Sequence, residues 1–376
     1  MVAGEASGDY LAAGLIRALR TRAPDVEIEG IGGPMMAREG VRLLYPMDTI
    51  SIMGVDGLAR SLRKILGIRK ALRERFIRNP PDVFVGVDVP DFNLGLERGL
   101  RKAGIPTVHY VSPTVWAWRE YRVNRIRRSA DLMLTLFPFE ADYFRARNVP
   151  VSFVGHPMAD EIPEQIDRGA ARAALGIDAQ YVVALLPGSR LSELKRLGGL
   201  FIDVAVRLQQ GGRRDICFLA PFISPATREH FEGLLAAKAP DLPIRLLDSR
   251  SRQVLAASDL ALLASGTAAL EAALHKVPMV VAYKVSWFTG LMVRMFARVR
   301  HVSMPNHLLD EPIVPELLQG AATVEQVSAA MERYLGDEAL RRDTERILGR
   351  IPRTLRCGAD ERAAAQVLAV AGRHGG

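Results

Sequence analysis

Cysteine is nearly missing from this chain. Two stand among 376 residues, Cys217 and Cys357, far apart and without metal-ligand spacing. That argues against a disulfide framework and makes a reducing cytoplasm the default. No run reaches the roughly 18 apolar residues that cross a bilayer. No apolar segment follows a basic stretch at the N-terminus, so no signal peptide is expected. A protein of this kind that meets a membrane lies on it. There is no G-x-G-x-x-G fingerprint, no internal repeat and no low-complexity tract. Acidic residues are the minority: 42 Asp and Glu against 50 Lys and Arg give a formal charge of +8. Such an excess suits an anionic partner, whether nucleic acid, an acidic membrane surface or a phosphorylated substrate, and also simple basic drift. Clustered cations interleaved with aromatics on an exposed face are not seen, which argues against nucleic acid.

What is present is apolar material for real cores: 49% of residues are hydrophobic and 24% charged. The length suits two domains. Short continuous apolar runs alternate with amphipathic stretches. The runs are Asp82–Asp88, Thr107–Ser112, Leu132–Phe137, Val151–Gly155, Tyr181–Gly188, Ile216–Pro221, Leu260–Ser265 and Pro278–Tyr283. Continuous rather than alternating runs mark parallel strands covered on both faces. The stretches LAAGLIRALR, SLRKILGIRKALRERF, GLERGLRKA, FIDVAVRLQQ and TAALEAALH have helical spacing. The fold class is therefore α/β, in two doubly wound, Rossmann-like series that meet at a polar, turn-rich connector after Gly155. Two such domains facing each other bind ligands in a cleft at the carboxyl ends of their strands.

Four loops after expected strands carry unusual residues. In GEASGD, Gly4 and Gly8 permit close backbone approach, and Ser7 or Asp9 suits a helix cap. Either this is a tight capped turn, or Glu5 and the glycine backbone line the cleft. In GVDVPDFN, Asp88 ends a strand, where a dry environment raises a carboxylate toward a general-base pKa; Asp91 or Asn93 suits a cap. In LLPGSRLSELKR, the turn Gly188-Ser189-Arg190 precedes a helix, so backbone amides and a guanidinium form an anion site, and Ser189 suits a cap. Ser192-Glu193 lacks capping-box spacing. In LLASGTAALE, Ser265-Gly266-Thr267 is a second anion-ready turn. Glu271, one helical turn on, is either a dipole-favoured surface acid or a bidentate ligand for a ribose.

Softer signals lie elsewhere. His109–Glu120 (HYVSPTVWAWRE) holds two of the three tryptophans and either lines the cleft mouth or packs. SWFTGLMVRMFARVR, with Trp287, Phe288, Met292 and Arg294, fits a basic amphipathic membrane-surface helix or a buried one, and Ser61–Phe76 repeats that ambiguity. HVSMPNHLL places Asn306 in a loop over the cleft.

Taken in order, GEASGD, GVDVPDFN, HYVSPTVWAW, LLPGSR, LASGTAALE and SMPNHLL resemble the lipid-A-disaccharide synthase family over nearly the whole chain. The resemblance implies a GT-B glycosyltransferase with domains at 1–160 and 161–351 and a C-terminal helix, about 352–376, returning to the first. It implies transfer of 2,3-diacylglucosamine from UDP onto 2,3-diacylglucosamine 1-phosphate, with inversion, to give the β-1,6-linked lipid A precursor. No cofactor and no metal are implied. Asp88 matches the base. Gly188, Ser189, Arg190, Ser265, Gly266 and Thr267 would hold the diphosphate, Glu271 the ribose and Asn306 the donor side, while Gly4 and Glu5 would border the acceptor. Trp287, Phe288, Met292 and Arg294 would meet acyl chains or membrane. The implied partners are the two diacylated sugars, the anionic cytoplasmic face of the inner membrane and a second copy of the chain. The rivals are another GT-B UDP-sugar enzyme, such as the N-acetylglucosaminyltransferase of the lipid-linked muramyl precursor or a UDP-sugar epimerase, and a non-catalytic binder of anionic lipid. Family members carry apolar residues before VAGEASGD where this chain has only Met1 and Val2. Either the start codon is placed late or the first strand is shortened, and a shortened central strand would leave unpaired backbone groups and a cavity.

Overall fold

A computed structural model describes residues 1–50, 58–113, 122–212, 215–284 and 301–372. The chain forms two compact units, Met1–Asp160 with Leu355–Gly376, and Glu161–Thr354.

The first unit is built on a seven-stranded parallel sheet ordered β3-β2-β1-β4-β5-β6-β7. Its strands are β1 (Val2–Ala3), β2 (Glu29–Gly32), β3 (Arg42–Pro46), β4 (Phe84–Val87), β5 (Thr107–Tyr110), β6 (Leu132–Thr135) and β7 (Val151–Phe153). The helices that matter for the site are α1 (Ala6–Arg22), α2 (Pro34–Arg38), α3 (Leu58–Arg78) and α4 (Pro90–Arg101). The helix Ala359–Gly372 belongs to this unit: Arg22 of α1 pairs with its Glu361 at 2.9 Å. Burial follows the apolar runs. Phe84, Val85 and Val87 of β4 and Val108 and Tyr110 of β5 are buried, as are Ile68, Leu72 and Phe76 along one face of α3. Spacings of four residues place those three on one side of the helix.

β1 is two residues long yet central. Val2 pairs with Ile31 and with Gly86, and Ala3 pairs with Val87. The Met1 carbonyl accepts from Ile31 N–H at 3.0 Å, and the terminal amine donates to the Glu29 carbonyl at 2.7 Å. At β1 the expected unpaired backbone groups are not found among the described residues. A pocket of about 760 Å³ lies in this unit, with Met1, Glu29, Val83, Val85 and Val367 in its wall.

The second unit has a six-stranded parallel sheet ordered β10-β9-β8-β11-β12-β13. The strands are β8 (Tyr181–Leu186), β9 (Ile216–Phe222), β10 (Ile244–Asp248), β11 (Leu260–Leu263), β12 (Met279–Tyr283) and β13 (Glu316–Leu318). Its core gathers Val183 and Leu185 of β8, Leu262 of β11 and Phe201 of the helix Leu191–Gln210. In both sheets the strand order reverses beside the first strand of the unit, between β1 and β4 and between β8 and β11. In open α/β sheets that reversal opens a crevice at the strands' carboxyl ends.

Candidate functional site

In the first unit the loops leaving β1 and β4 meet at that reversal. Asp88 follows β4 directly and takes the left-handed conformation, φ 54°, with Val89 next at φ 37°. Across the neighbouring strand end Val111 has φ 78°. Such conformations in residues with a Cβ cost of order 1–3 kcal/mol each and collect at functional sites. The surroundings hold this one in place. Asp88 N–H donates to the Tyr110 carbonyl at 3.0 Å. The Asn93 amide of α4 donates to the carbonyls of Val2, Val87 and Asp88 at 3.2, 3.2 and 2.9 Å.

The Asp88 carboxylate is turned onto the first loop. Its Oδ1 accepts from Gly4 N–H at 3.1 Å and its Oδ2 from Glu5 N–H at 3.2 Å. Two glycines make that approach feasible. A Cβ on Gly8 would collide with the carboxylate itself, and one on Gly4 would lie 2.6 Å from Val89 Cγ2. Burial pushes the Asp88 pKa up to about 7, and the nearby Glu5 charge adds to the rise. The two amides and His109 pull the other way. The result is a carboxylate part-ionised near neutral pH, as suits a general base. Gly4, Glu5 and Asp88, expected from three separate motif positions, thus form one cluster.

The capping expectations need correction. α4 starts at Pro90 with Val89 as its N-cap, so Asp91 and Asn93 lie inside the helix. Pro90 at the first position explains the earlier start, since its fixed φ suits N1 and it lacks the N–H that would go unpaired there. Asp91 instead pairs with Arg122 at 2.8 Å. Neither Ser7 nor Asp9 caps α1, whose N-cap is Glu5. Asp9 receives the amides of Gly33, Met35 and Met36 at 2.8, 2.9 and 3.1 Å, so it caps the neighbouring α2. His109 is fully buried, with its Nδ1 2.6 Å from Glu97 Oε1.

In the second unit the two anion-ready turns leave adjacent strands, with Leu186 of β8 in register with Leu263 of β11. Gly188 at φ 123° and Gly266 at φ 113° occupy conformations that favour glycine. A Cβ on Gly188 would lie 2.6 Å from Glu193 Cβ. Ser189 and Arg190 are exposed, and Arg190 rather than Ser189 is the N-cap of the helix Leu191–Gln210. Glu193, three residues past the N-cap, accepts the Arg190 N–H at 3.4 Å, so the reciprocal contact runs from Arg190 and not from Ser192. The guanidinium of Arg190 forms no ion pair with a described residue. Gly266 is the N-cap of the helix Thr267–Leu274, and Ser265 Oγ donates to the Val302 carbonyl at 3.3 Å.

Glu271 is 14% exposed, no open surface acid. Burial raises its pKa, while Ser251 Oγ at 3.3 Å and Arg252 Nε at 3.5 Å favour the ionised form. Asn306 is buried, and its side chain is spent on the chain itself. Nδ2 donates to the Val314 carbonyl at 2.9 Å and to Glu316 Oε1 at 2.8 Å, and Oδ1 accepts Val314 N–H at 3.0 Å. Glu316, unforeseen from sequence, is the hub of this segment. Its carboxylate also accepts the amides of Val302 and Ser303 at 2.8 and 2.9 Å. A cavity of about 600 Å³ adjoins Asn306 and Glu316, and none of the turn residues lines it. Trp287, Phe288, Met292 and Arg294 lie outside the described residues.

A family model for lipid-A-disaccharide synthetase matches residues 1–367. The chain belongs to the lipid-A-disaccharide synthase family. The synthase of Alkalilimnicola ehrlichii is 49% identical over 378 residues, covering 100% of this chain and 99% of its own. That of Azotobacter vinelandii is 50% identical over 374 residues, covering 99% and 98%. Membership makes the chain a glycosyltransferase of lipid A biosynthesis. Among solved structures, the glycosyltransferase of kitacinnamycin aligns at a TM-score of 0.63 with 18% identity, over 96% of this chain and 95% of its own. That likeness concerns the fold, and with the two parallel sheets it gives the two-domain, Rossmann-like GT-B architecture of this synthase family.

Proposed function

We propose that the enzyme joins UDP-2,3-diacylglucosamine to 2,3-diacylglucosamine 1-phosphate, forming the β-1,6-linked disaccharide with inversion and releasing UDP. The observation that carries this reading is Asp88, a strained, amide-bound carboxylate with a pKa of about 7 at a strand-order reversal. Asp88 takes the proton of the acceptor hydroxyl as that oxygen bonds to the anomeric carbon. The bond from that carbon to the diphosphate breaks, and its electron pair leaves with UDP. The departing charge is met by Arg190 and by the amides of the Gly188–Arg190 and Ser265–Thr267 turns. Glu271 takes the ribose hydroxyls, with Arg252 and Ser251 holding its carboxylate ready. Asn306 shapes the donor side by tying down the segment beside Ser265, and Gly4 and Glu5 border the acceptor. Mass spectrometry of products from the two diacylated sugars tests the reaction. A disaccharide 1-phosphate formed equally with and without chelator is expected. Hydrolysis or epimerisation of the UDP-sugar in its place overturns the reading.

The acyl chains imply a membrane source. Among the described residues no helix is long and apolar enough to cross a membrane. α3 instead exposes Leu62, Leu66 and Ile77, Leu66 to 49%, among the exposed cations Arg63, Lys64, Lys70, Arg73 and Arg78. That pattern suits an anionic interface, and we assign this face to the cytoplasmic surface of the inner membrane. The protein is expected to sediment with phosphatidylglycerol-containing vesicles and less with phosphatidylcholine ones. Leu62→Glu with Leu66→Glu is expected to weaken the first; unchanged sedimentation would remove α3 from the interface.

A further inference from the structure

Just past Asp88, two arginines from different elements close on one residue. Asp91 lies in the first turn of α4. Arg122 Nη2 donates to its Oδ1 at 2.8 Å, and Arg69 Nη1 of α3 reaches its carbonyl oxygen at 3.5 Å. Arg122 is the N-cap of the short helix Val123–Arg127. Its side chain is only 20% exposed, whereas that of Asp91 is 68% exposed. Arg69 is half-buried, and glycine makes the room for it. A Cβ on Gly95 would lie 2.5 Å from Arg69 Nη1, so the guanidinium rests against bare backbone of α4. One turn on, a Cβ on Gly99 would lie 2.7 Å from Arg73 Cδ.

Positive charge is in excess here. Among the described residues, the one ion pair made by Arg69, Arg73 or Arg122 is that of Arg122 with Asp91. A guanidinium has five N–H donors. Arg122 spends one on Asp91 and Arg69 one on a long contact, so both forks stay largely open. Burial lowers the Arg69 pKa, and the like charges of Arg125 and Arg73 lower it further. An arriving anion would relieve that repulsion. No side chain caps α4, so the partial positive charge of its amino end adds to the same field.

We propose that Arg69 and Arg122 are the subsite for the 1-phosphate of the acceptor sugar. The inference rests on the reaction proposed above, in which Asp88 takes the proton of the acceptor's 6-hydroxyl. One pyranose ring separates that hydroxyl from the phosphate. Three residues of chain hold the Cα of Asp91 within about 11 Å of that of Asp88, within reach of one sugar phosphate. A phosphate monoester suits the two forks, which can each engage two of its oxygens. Asp91 keeps Arg122 oriented, and the phosphate takes the donors that Asp91 leaves open.

The test is steady-state UDP release with two acceptors, 2,3-diacylglucosamine 1-phosphate and its analogue without the phosphate. Micelles of a neutral detergent keep membrane headgroups out of the assay. Arg69→Ala and Arg122→Ala should each raise KM for the phosphorylated acceptor about 10–100-fold, as loss of a charge-assisted contact does. The donor KM and kcat should change by less than about twofold, because the contact is made equally before and during the transfer. Arg69→Lys should recover part of the loss. The parent should use the analogue poorly, and the variants should use it as the parent does, since phosphate and arginine remove the same contact. An acceptor KM unchanged in variants that melt with the parent overturns the subsite. So does an analogue that loses as much again in the variants. Where an alanine variant does not fold, Arg69→Gln or Arg122→Gln takes its place. Sedimentation with phosphatidylglycerol vesicles separates the other source of phosphate: variants that bind vesicles less yet keep the acceptor KM assign the cations to lipid headgroups and overturn the subsite. A parent that forms no disaccharide fails the reaction itself, whereas an active parent whose acceptor KM ignores both arginines fails the subsite alone.

Discussion

Asp88→Asn is expected to slow disaccharide formation by about 10²–10⁴-fold, the usual contribution of a positioned general base, and to make the protein more stable above pH 7. The two effects have one cause. Folding moves the Asp88 carboxyl from an ordinary 3.8 to about 7. Below pH 3.8 it is neutral whether folded or not and costs nothing. As pH rises through that window the unfolded chain ionises first, and stability is lost until the folded carboxyl ionises too. A gap of about three units sets a ceiling of about 4 kcal/mol. Asparagine offers one acceptor where the carboxylate offers two to Gly4 and Glu5, which returns about 1 kcal/mol of that. A melting temperature for Asp88→Asn that exceeds the parent's at pH 8 and converges with it near pH 4 is the expected result. A difference independent of pH would mean that Asp88 is not held at a raised pKa.

Arg190→Ala is expected to lower kcat by about 10²–10³-fold, as loss of a preorganised group facing developing negative charge does. The ground for so large an effect is position. Arg190 stands at the amino end of a 20-residue helix, beside a glycine turn, with its guanidinium paired to no described residue. Arg190→Lys should recover only part of the rate, because a point charge does not reproduce a planar fork on a diphosphate. Steady-state UDP release at saturating donor measures both. A kcat for Arg190→Ala within a factor of two or so of the parent would move the leaving-group role elsewhere.

All eight apolar runs noted from sequence became strands; seven lie inside their sheets, where cover on both faces demands apolar residues, and the eighth, β7, is a half-buried edge. The strands not foreseen have other constraints. β3, β10 and β13 are sheet edges, where exposed positions admit Arg42 and Arg245 and a half-buried one admits Glu316. β2 reads Glu-Gly-Ile-Gly, and its Gly30 leaves space for the Met1 carbonyl. The site divides in the same way. Asp88, Arg190 and the two glycine turns announce themselves because each sits in a short motif after a strand. Asn93, Glu316 and the Asp9 cap do not, because their partners come from elsewhere in the chain or from the other side of a turn. Glu97 is legible in the sequence as a charge set beside the apolar positions Leu96 and Leu100 of α4, and it is buried with them.

The Asp88 carboxylate is also a fastener. Gly4 and Glu5, just past a strand of only two residues, are tied to the sheet's next strand through its two oxygens. A carboxylate accepts at both oxygens, but a protonated one gives up much of that capacity at the oxygen carrying the proton. With Asp88 as the base, every transfer that deposits a proton there slackens one of the two ties, and the loop is drawn tight again when the proton departs.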